Sequence, residues 1–204
     1  MDRRFFIASA AAFAAGPAAA QAIRMDQLMK PAGDLKDVVQ GSPDAKVTIV
    51  EYASMTCSHC AAFHERTWPA LKAKYIDTGK ARFILREFPL DPLAAGGFML
   101  ARCAGDRREA MVDLLFKQQR NWAMTEKPVD ALAALVKQAG FTQESFEKCL
   151  TDQKLLDGVL AVKNQGEKEF KVDSTPTFFI NGNKYPGNMS IEDFDRILSP
   201  LVGN

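Results

Sequence analysis

The sequence predicts an α/β fold: a mixed β-sheet interrupted by an inserted all-helical subdomain. Three observations carry this. Lys46 to Ala53 and Ala81 to Phe88 read as strands separated by a helical pattern. From Pro92 to about Phe170 the pattern is helical throughout. Strands then resume at Thr177 to Ile180, followed by a hairpin signal and a last helix. A β-α-β unit implies parallel strands and a right-handed crossover. A hairpin returning to the same sheet makes it mixed.

Residues 1–20 read as a secretory signal peptide. Arg3 and Arg4 form a positive n-region, and Phe5 to Ala15 is an apolar run. Ala18-Ala19-Ala20 and Ala20-Gln21-Ala22 both offer a small-x-small cleavage pattern. The run is too short to anchor in a bilayer. Arg3-Arg4 followed by Phe6 also has features of a twin-arginine export signal, with Asp2 and Ala8 in the flanking positions. Export would bring the chain to a bacterial periplasm, where disulfides persist.

Residues 21–40, with Pro31 and Gly33, read as an N-terminal arm with one helical turn. Gly41-Ser42-Pro43-Asp44 is a turn signal. In Lys46 to Ala53 the apolar residues fall on both parities, as in a central strand covered on both faces. Cys57 begins a helical pattern reaching about Tyr75, in which Pro69 should kink or split the helix. Breaks in the helical block fall near Gly105-Asp106, Thr125 to Pro128, Gly140-Phe141 and Thr151-Asp152. Asn181-Gly182 is a strong hairpin signal into Lys184-Tyr185. Ser190, with Asp193 three residues on, is a variant capping box for the final helix.

Composition narrows the function. The 204 residues are 47% hydrophobic and 25% charged, ordinary globular values that exclude wholesale disorder. The 26 basic and 25 acidic residues leave no electrostatic footprint for nucleic acid. Loss of Asp2, Arg3 and Arg4 with the signal peptide would leave 24 of each. Four cysteines are too few for a disulfide-rich miniature scaffold. They suffice for one redox pair and one structural pair.

Cys57-Ser58-His59-Cys60 lies just after a strand, where a helix begins. Free backbone N–H groups and the helix dipole stabilise a thiolate at that position. Cys60 lies one turn further along the same face. His59 offers a positive charge beside the Cys57 sulfur. Both effects should lower the Cys57 pKa and make the disulfide a strong oxidant. A zinc half-site built on Cys57, Cys60, His59 and His64 would crowd four ligands into poor tetrahedral geometry. A purely structural disulfide across so short a loop would add little stability.

This strand, Cys57-Ser58-His59-Cys60, the helical block, and Ser174-Thr175-Pro176-Thr177 before a hairpin resemble the DsbA family over roughly residues 42–203. The resemblance implies a thioredoxin-like domain formed by residues 41–91 and 171–204, with 92–170 as the inserted helical domain. It implies that Pro176 is a cis-proline packed on the active disulfide, and that Thr175 offers its backbone to an extended substrate. Glu51 lies six residues before Cys57 and shares parity with Val47 and Ile49, so it should face an apolar layer. Family members carry a buried acid there, which would relay the Cys60 proton; the competing reading is an edge-strand carboxylate reaching solvent. Phe63 is expected in the core and His64 at a partly exposed surface. Cys103 and Cys149 are expected to form a structural disulfide, the alternative being two buried thiols.

The implied activity is periplasmic thiol:disulfide oxidation. Substrate thiolate attacks Cys57, and the substrate's second thiol resolves the mixed disulfide. Partners would be reduced or unfolded exported proteins and a membrane reoxidant of the DsbB type. The chain would act as a monomer, without cofactor or metal. An isomerase or reductase is the first rival, favoured by Thr175, since isomerase-type relatives often carry threonine there. A periplasmic copper-binding or chaperone module using the same cysteines is the second.

Overall fold

The computed structural model describes residues 22–203; the signal peptide expected at 1–20 lies outside the described residues. Five strands form one sheet in the order β1-β3-β2-β4-β5. They are β1 (Val39–Gly41), β2 (Val47–Ala53), β3 (Ala81–Glu87), β4 (Thr177–Ile180) and β5 (Asn183–Pro186). The central β2 pairs parallel with β3 and antiparallel with β4, so the sheet is mixed. All seven β2 residues are buried. Their two parities feed two separate apolar layers. Val47, Ile49 and Ala53 pack with Phe63, Phe178 and the helical block. Val50 and Tyr52 pack with Leu28, Phe170 and Phe179 on the opposite face.

The arm contains the expected helical turn, α1 (Met25–Leu28), but it also contributes β1. This short strand lies antiparallel on the outer edge of β3, with Val39 opposite Ile84. Three residues ending in Gly41 carry no alternation of their own; the exposed edge of β3 makes the strand. The arm is further held by Arg86, whose Nη2 lies 2.8 Å from Asp37 Oδ2 and whose Nη1 donates to the Tyr52 hydroxyl.

After β2 come α2 (Ser58–Arg66), α3 (Trp68–Leu71) and one π-helical turn, Lys72–Ile76. The helix breaks at Thr67, two residues before Pro69, because proline is tolerated only in a first helical turn. Between β3 and β4 lie α4 (Pro92–Cys103), α5 (Arg108–Lys117), α6 (Gln119–Trp122), α7 (Pro128–Gln138), α8 (Gln143–Leu150) and α9 (Gln153–Phe170). The expected breaks are all present. A further break at Gln118, between α5 and α6, gave no sequence signal.

Cys103 and Cys149 are disulfide-bonded, joining the ends of α4 and α8. Glu87, at the end of β3, binds Arg102 of α4 and Arg108 of α5, a second tie between sheet and helices. Gly166 lets α9 approach the sheet: a Cβ there would lie 2.6 Å from Tyr52 Cε1. Asn181 and Gly182 turn the β4-β5 hairpin with φ of 45° and 86°, as a type I′ turn requires. Helix α10 (Ile191–Val202) starts at Ser190 with the reciprocal Ser190–Asp193 capping box.

Candidate active site

Cys57 occupies the N-cap position of α2, directly after the β2 loop. The loop is tied down from both sides. Thr56 Oγ1 donates to Asp91 Oδ2 at 2.5 Å, while Asp91 Oδ1 caps α4 by accepting from the Ala94 amide. Gln119 Nε2 donates to the carbonyl oxygens of Met55 and Cys57, at 2.8 and 3.0 Å. Gln119 was not legible as a site residue. It comes from a helix 62 residues downstream, and nothing local marks it.

The two cysteines have opposite environments. Cys57 is half-buried, and its pKa falls from 9.0 to about 5. The largest cause is a hydrogen bond from the Cys60 thiol, opposed by partial burial. Thr175 and the backbone N–H groups of Cys60 and His59 add to it. His59 thus acts through its backbone, and its ring is exposed. As a thiol, Cys57 donates to the Thr175 carbonyl at 3.2 Å. Cys60 is fully buried, and its thiol is pushed well above the ordinary range. Burial is the main cause, with the negative charges of Cys57 and Glu51 adding to it. The pair therefore combines a ready thiolate at the surface with a neutral thiol beneath it.

Ser174-Thr175-Pro176 passes over this pair, and the Thr175–Pro176 bond is cis. The Thr175 carbonyl reaches the Cys57 sulfur directly. An apolar recess of about 670 Å³ opens beside Thr56, lined by Pro92, Met99, Val129, Leu132 and Leu156 among others.

Glu51 stands on the central strand and is fully buried, so it is no edge carboxylate reaching solvent. Its Oε2 lies 2.9 Å from Nε2 of His64. The expectation of a partly exposed His64 is wrong: only 3% of its side chain is accessible. The imidazole stacks on Phe116 at 4.2 Å and 16°. The stacking partner lies on α5, far away in sequence, which is why position 64 looked like an outer helix face. Phe63 packs in the core as expected, against Phe178 and Phe194. Among the described residues, no group of three or more His, Cys, Asp or Glu side chains is arranged to hold a metal ion. His64 is turned to Glu51 and the His59 ring to solvent, so the four-ligand set of the metal reading is not assembled.

Residues 34–199 match the thioredoxin family. The chain is 40% identical, over 151 residues, to a Rickettsia bellii protein provisionally named a protein-disulfide oxidoreductase. That match covers 73% of this chain and 58% of the relative. A similarly named Rickettsia typhi protein is 36% identical over 165 residues, covering 80% of this chain and 61% of its own. The chain thus spans about three-fifths of the length of these relatives. Its structure is similar to the crystal structure of Wolbachia pipientis alpha-DsbA1, with a TM-score of 0.79 and 29% identity, covering 87% and 95% of the two chains. With the Cys57–Cys60 pair at a helix start, the cis-Pro176 loop above it and helices inserted between β3 and β4, the chain belongs to the thioredoxin family and is DsbA-like within it.

Proposed function

We propose that this protein is a periplasmic thiol:disulfide oxidoreductase that introduces disulfides into exported proteins. The observation that carries the reading is the asymmetry of the cysteine pair: Cys57 is held as a thiolate and Cys60 as a buried thiol. In the oxidised protein, a substrate thiolate attacks Cys57 Sγ, the Cys57–Cys60 bond breaks, and Cys60 leaves and takes up a proton. The second substrate thiolate then attacks the substrate sulfur of the mixed disulfide and releases Cys57 as a stabilised thiolate. Two electrons pass from the substrate dithiol to the cysteine pair. Low basicity makes Cys57 a good leaving group, which favours this direction.

Thr175 and Pro176 hold the extended substrate beside Cys57, and the apolar recess next to Thr56 takes aliphatic side chains exposed by unfolded chains. Glu51 serves as proton acceptor and donor for Cys60. The Cys103–Cys149 bond staples the helices and takes no part in exchange. Export rests on the signal-like residues 1–20, and reoxidation would fall to a membrane partner of the DsbB type. The enzyme would work as a monomer.

An isomerase or reductase is the second reading, favoured by the threonine before Pro176. Equilibration with glutathione separates the readings. A potential near roughly −270 mV would sink the oxidase; one approaching roughly −120 mV supports it. Refolding of a scrambled-disulfide protein then scores isomerase activity.

A further inference from the structure

Glu51 on β2 and His64 on α2 are buried against each other, and each keeps one polar atom without a protein partner. On Glu51 this is Oε1; on His64 it is Nδ1. Burying such atoms without a partner is costly, so a fold keeps them for a reason. Their placement suggests one. Cys60 feels the negative charge of Glu51. On the far side, His64 lines a cavity of about 310 Å³ between α2 and α5, bounded by Glu65, Trp68, Asp113 and Lys117. The Phe116 stack and the edge of Phe63 at 5.1 Å fix the ring between Glu51 and this cavity.

We propose that His64 is a positioning residue that passes the Cys60 proton between Glu51 and the α2–α5 cavity, so that it travels through the back of the site, away from the bound substrate. This deepens the oxidoreductase reading and rests on it. In ring closure, Cys57 carries a mixed disulfide with a donor disulfide's thiol. Cys60 Sγ–H gives its proton to Glu51 and attacks Cys57 Sγ. The Cys57–Cys60 bond forms and the donor thiolate leaves with the electron pair. Glu51 passes a proton to His64 Nε2, and the imidazolium loses one from Nδ1 to the cavity. Opening of the disulfide by substrate runs the same path inward. The charges facing His64 are Glu51 on β2, Glu65 on its own helix, and Asp113 and Lys117 on α5; Lys72 also acts on Asp113. Burial raises the Asp113 carboxyl from its usual range, and His64 pulls it the other way, so the rim is electrostatically coupled to the ring.

The test compares two steps, alkylation of Cys57 and ring closure during oxidation by glutathione disulfide, in wild type, His64→Gln and His64→Ala. Wild-type formation of the Cys57–Cys60 disulfide by exchange scores the oxidoreductase reading by itself. In His64→Gln, alkylation of Cys57 should keep its wild-type rate, whereas ring closure at neutral pH should slow at least about tenfold. Its pH profile should rise steeply toward alkaline pH. In His64→Ala, added imidazole should restore closure and leave alkylation unchanged. Wild-type closure and pH profile in His64→Gln would overturn the proposal. So would a parallel loss of both steps without imidazole rescue, the signature of a structural role. If neither variant folds, Asp113→Asn at the cavity rim decides: a displaced pH midpoint of closure supports the exit, and an unmoved one overturns it.

Discussion

Removal of the Cys60 thiol tests what holds Cys57 as a thiolate. With a pKa of about 5, Cys57 at pH 7 is ionised roughly 100 to 1, whereas at its ordinary 9.0 the ratio is inverted. The ionisation gained by pH 7 is therefore about a hundredfold. For a two-electron couple this raises the potential by about 60 mV, at roughly 30 mV per tenfold. The largest contribution is the Cys60 hydrogen bond. A hydrogen bond to a charged group is worth about 1.5–3 kcal/mol net, and each pKa unit about 1.4 kcal/mol. Cys60→Ala should then raise the Cys57 midpoint by about one to two units, to between about 6 and 7. Ultraviolet thiolate absorbance against pH reads it directly, and the pH dependence of alkylation provides a check. A midpoint that stays near 5 in Cys60→Ala would refute the reasoning and shift the cause to Thr175 and the α2 backbone.

Three further outcomes follow from the same structure. A depressed pKa stabilises the folded, reduced protein fully above pH 9, and the gain disappears as pH falls through about 5; between pH 7 and 4 the loss is about 2.7 kcal/mol. Reduced protein should thus lose about 5–10 °C of Tm over that range relative to oxidised protein, in which Cys57 does not titrate; parallel pH curves for the two forms would count against this. Glu87→Ala strands the nearly buried Arg108 and frees Arg102, and should cost about 3–5 kcal/mol in a urea titration; a loss below about 1 kcal/mol would mean the cluster is solvated. Replacing both Cys103 and Cys149 by serine opens a loop of 46-residue separation and should cost up to about 4 kcal/mol, with the Cys57 titration unmoved.

What could be read from the sequence was local. The strands, the Asn181-Gly182 turn and the Ser190 cap each satisfy a short-range rule, and the structure places them within a residue of expectation. Cys57 and Cys60 were visible because strand and helix patterns meet at that point. Glu51 was visible because parity fixes which face of a strand a side chain occupies. β1 was invisible because its pairing is supplied by β3, with no alternation of its own. His64 was misplaced because a helix four residues past Cys60 offers no sign of whether another helix covers it. Phe116 does so from 52 positions away.

The misplaced His64 and the unforeseen Gln119 share a cause that bears on how the site works. His64 is covered by α5, and the Cys57 loop is braced by Gln119 at the start of α6. The same stretch of the helical insertion therefore touches the cysteine pair from two directions, at the loop in front and at the buried acid's partner behind. Glu87 and Arg108 anchor the start of that stretch to the end of β3. A thioredoxin-like sheet with α2 alone would still present Cys57 at a helix N-terminus, because that depends only on β2 and α2. It would lack the hydrogen bonds that fix the Cys57 carbonyl and the stack that fixes His64. The helical insertion is thus part of the active site's construction, and the sequence, read element by element, presents it as a separate block because each contact joins residues dozens of positions apart.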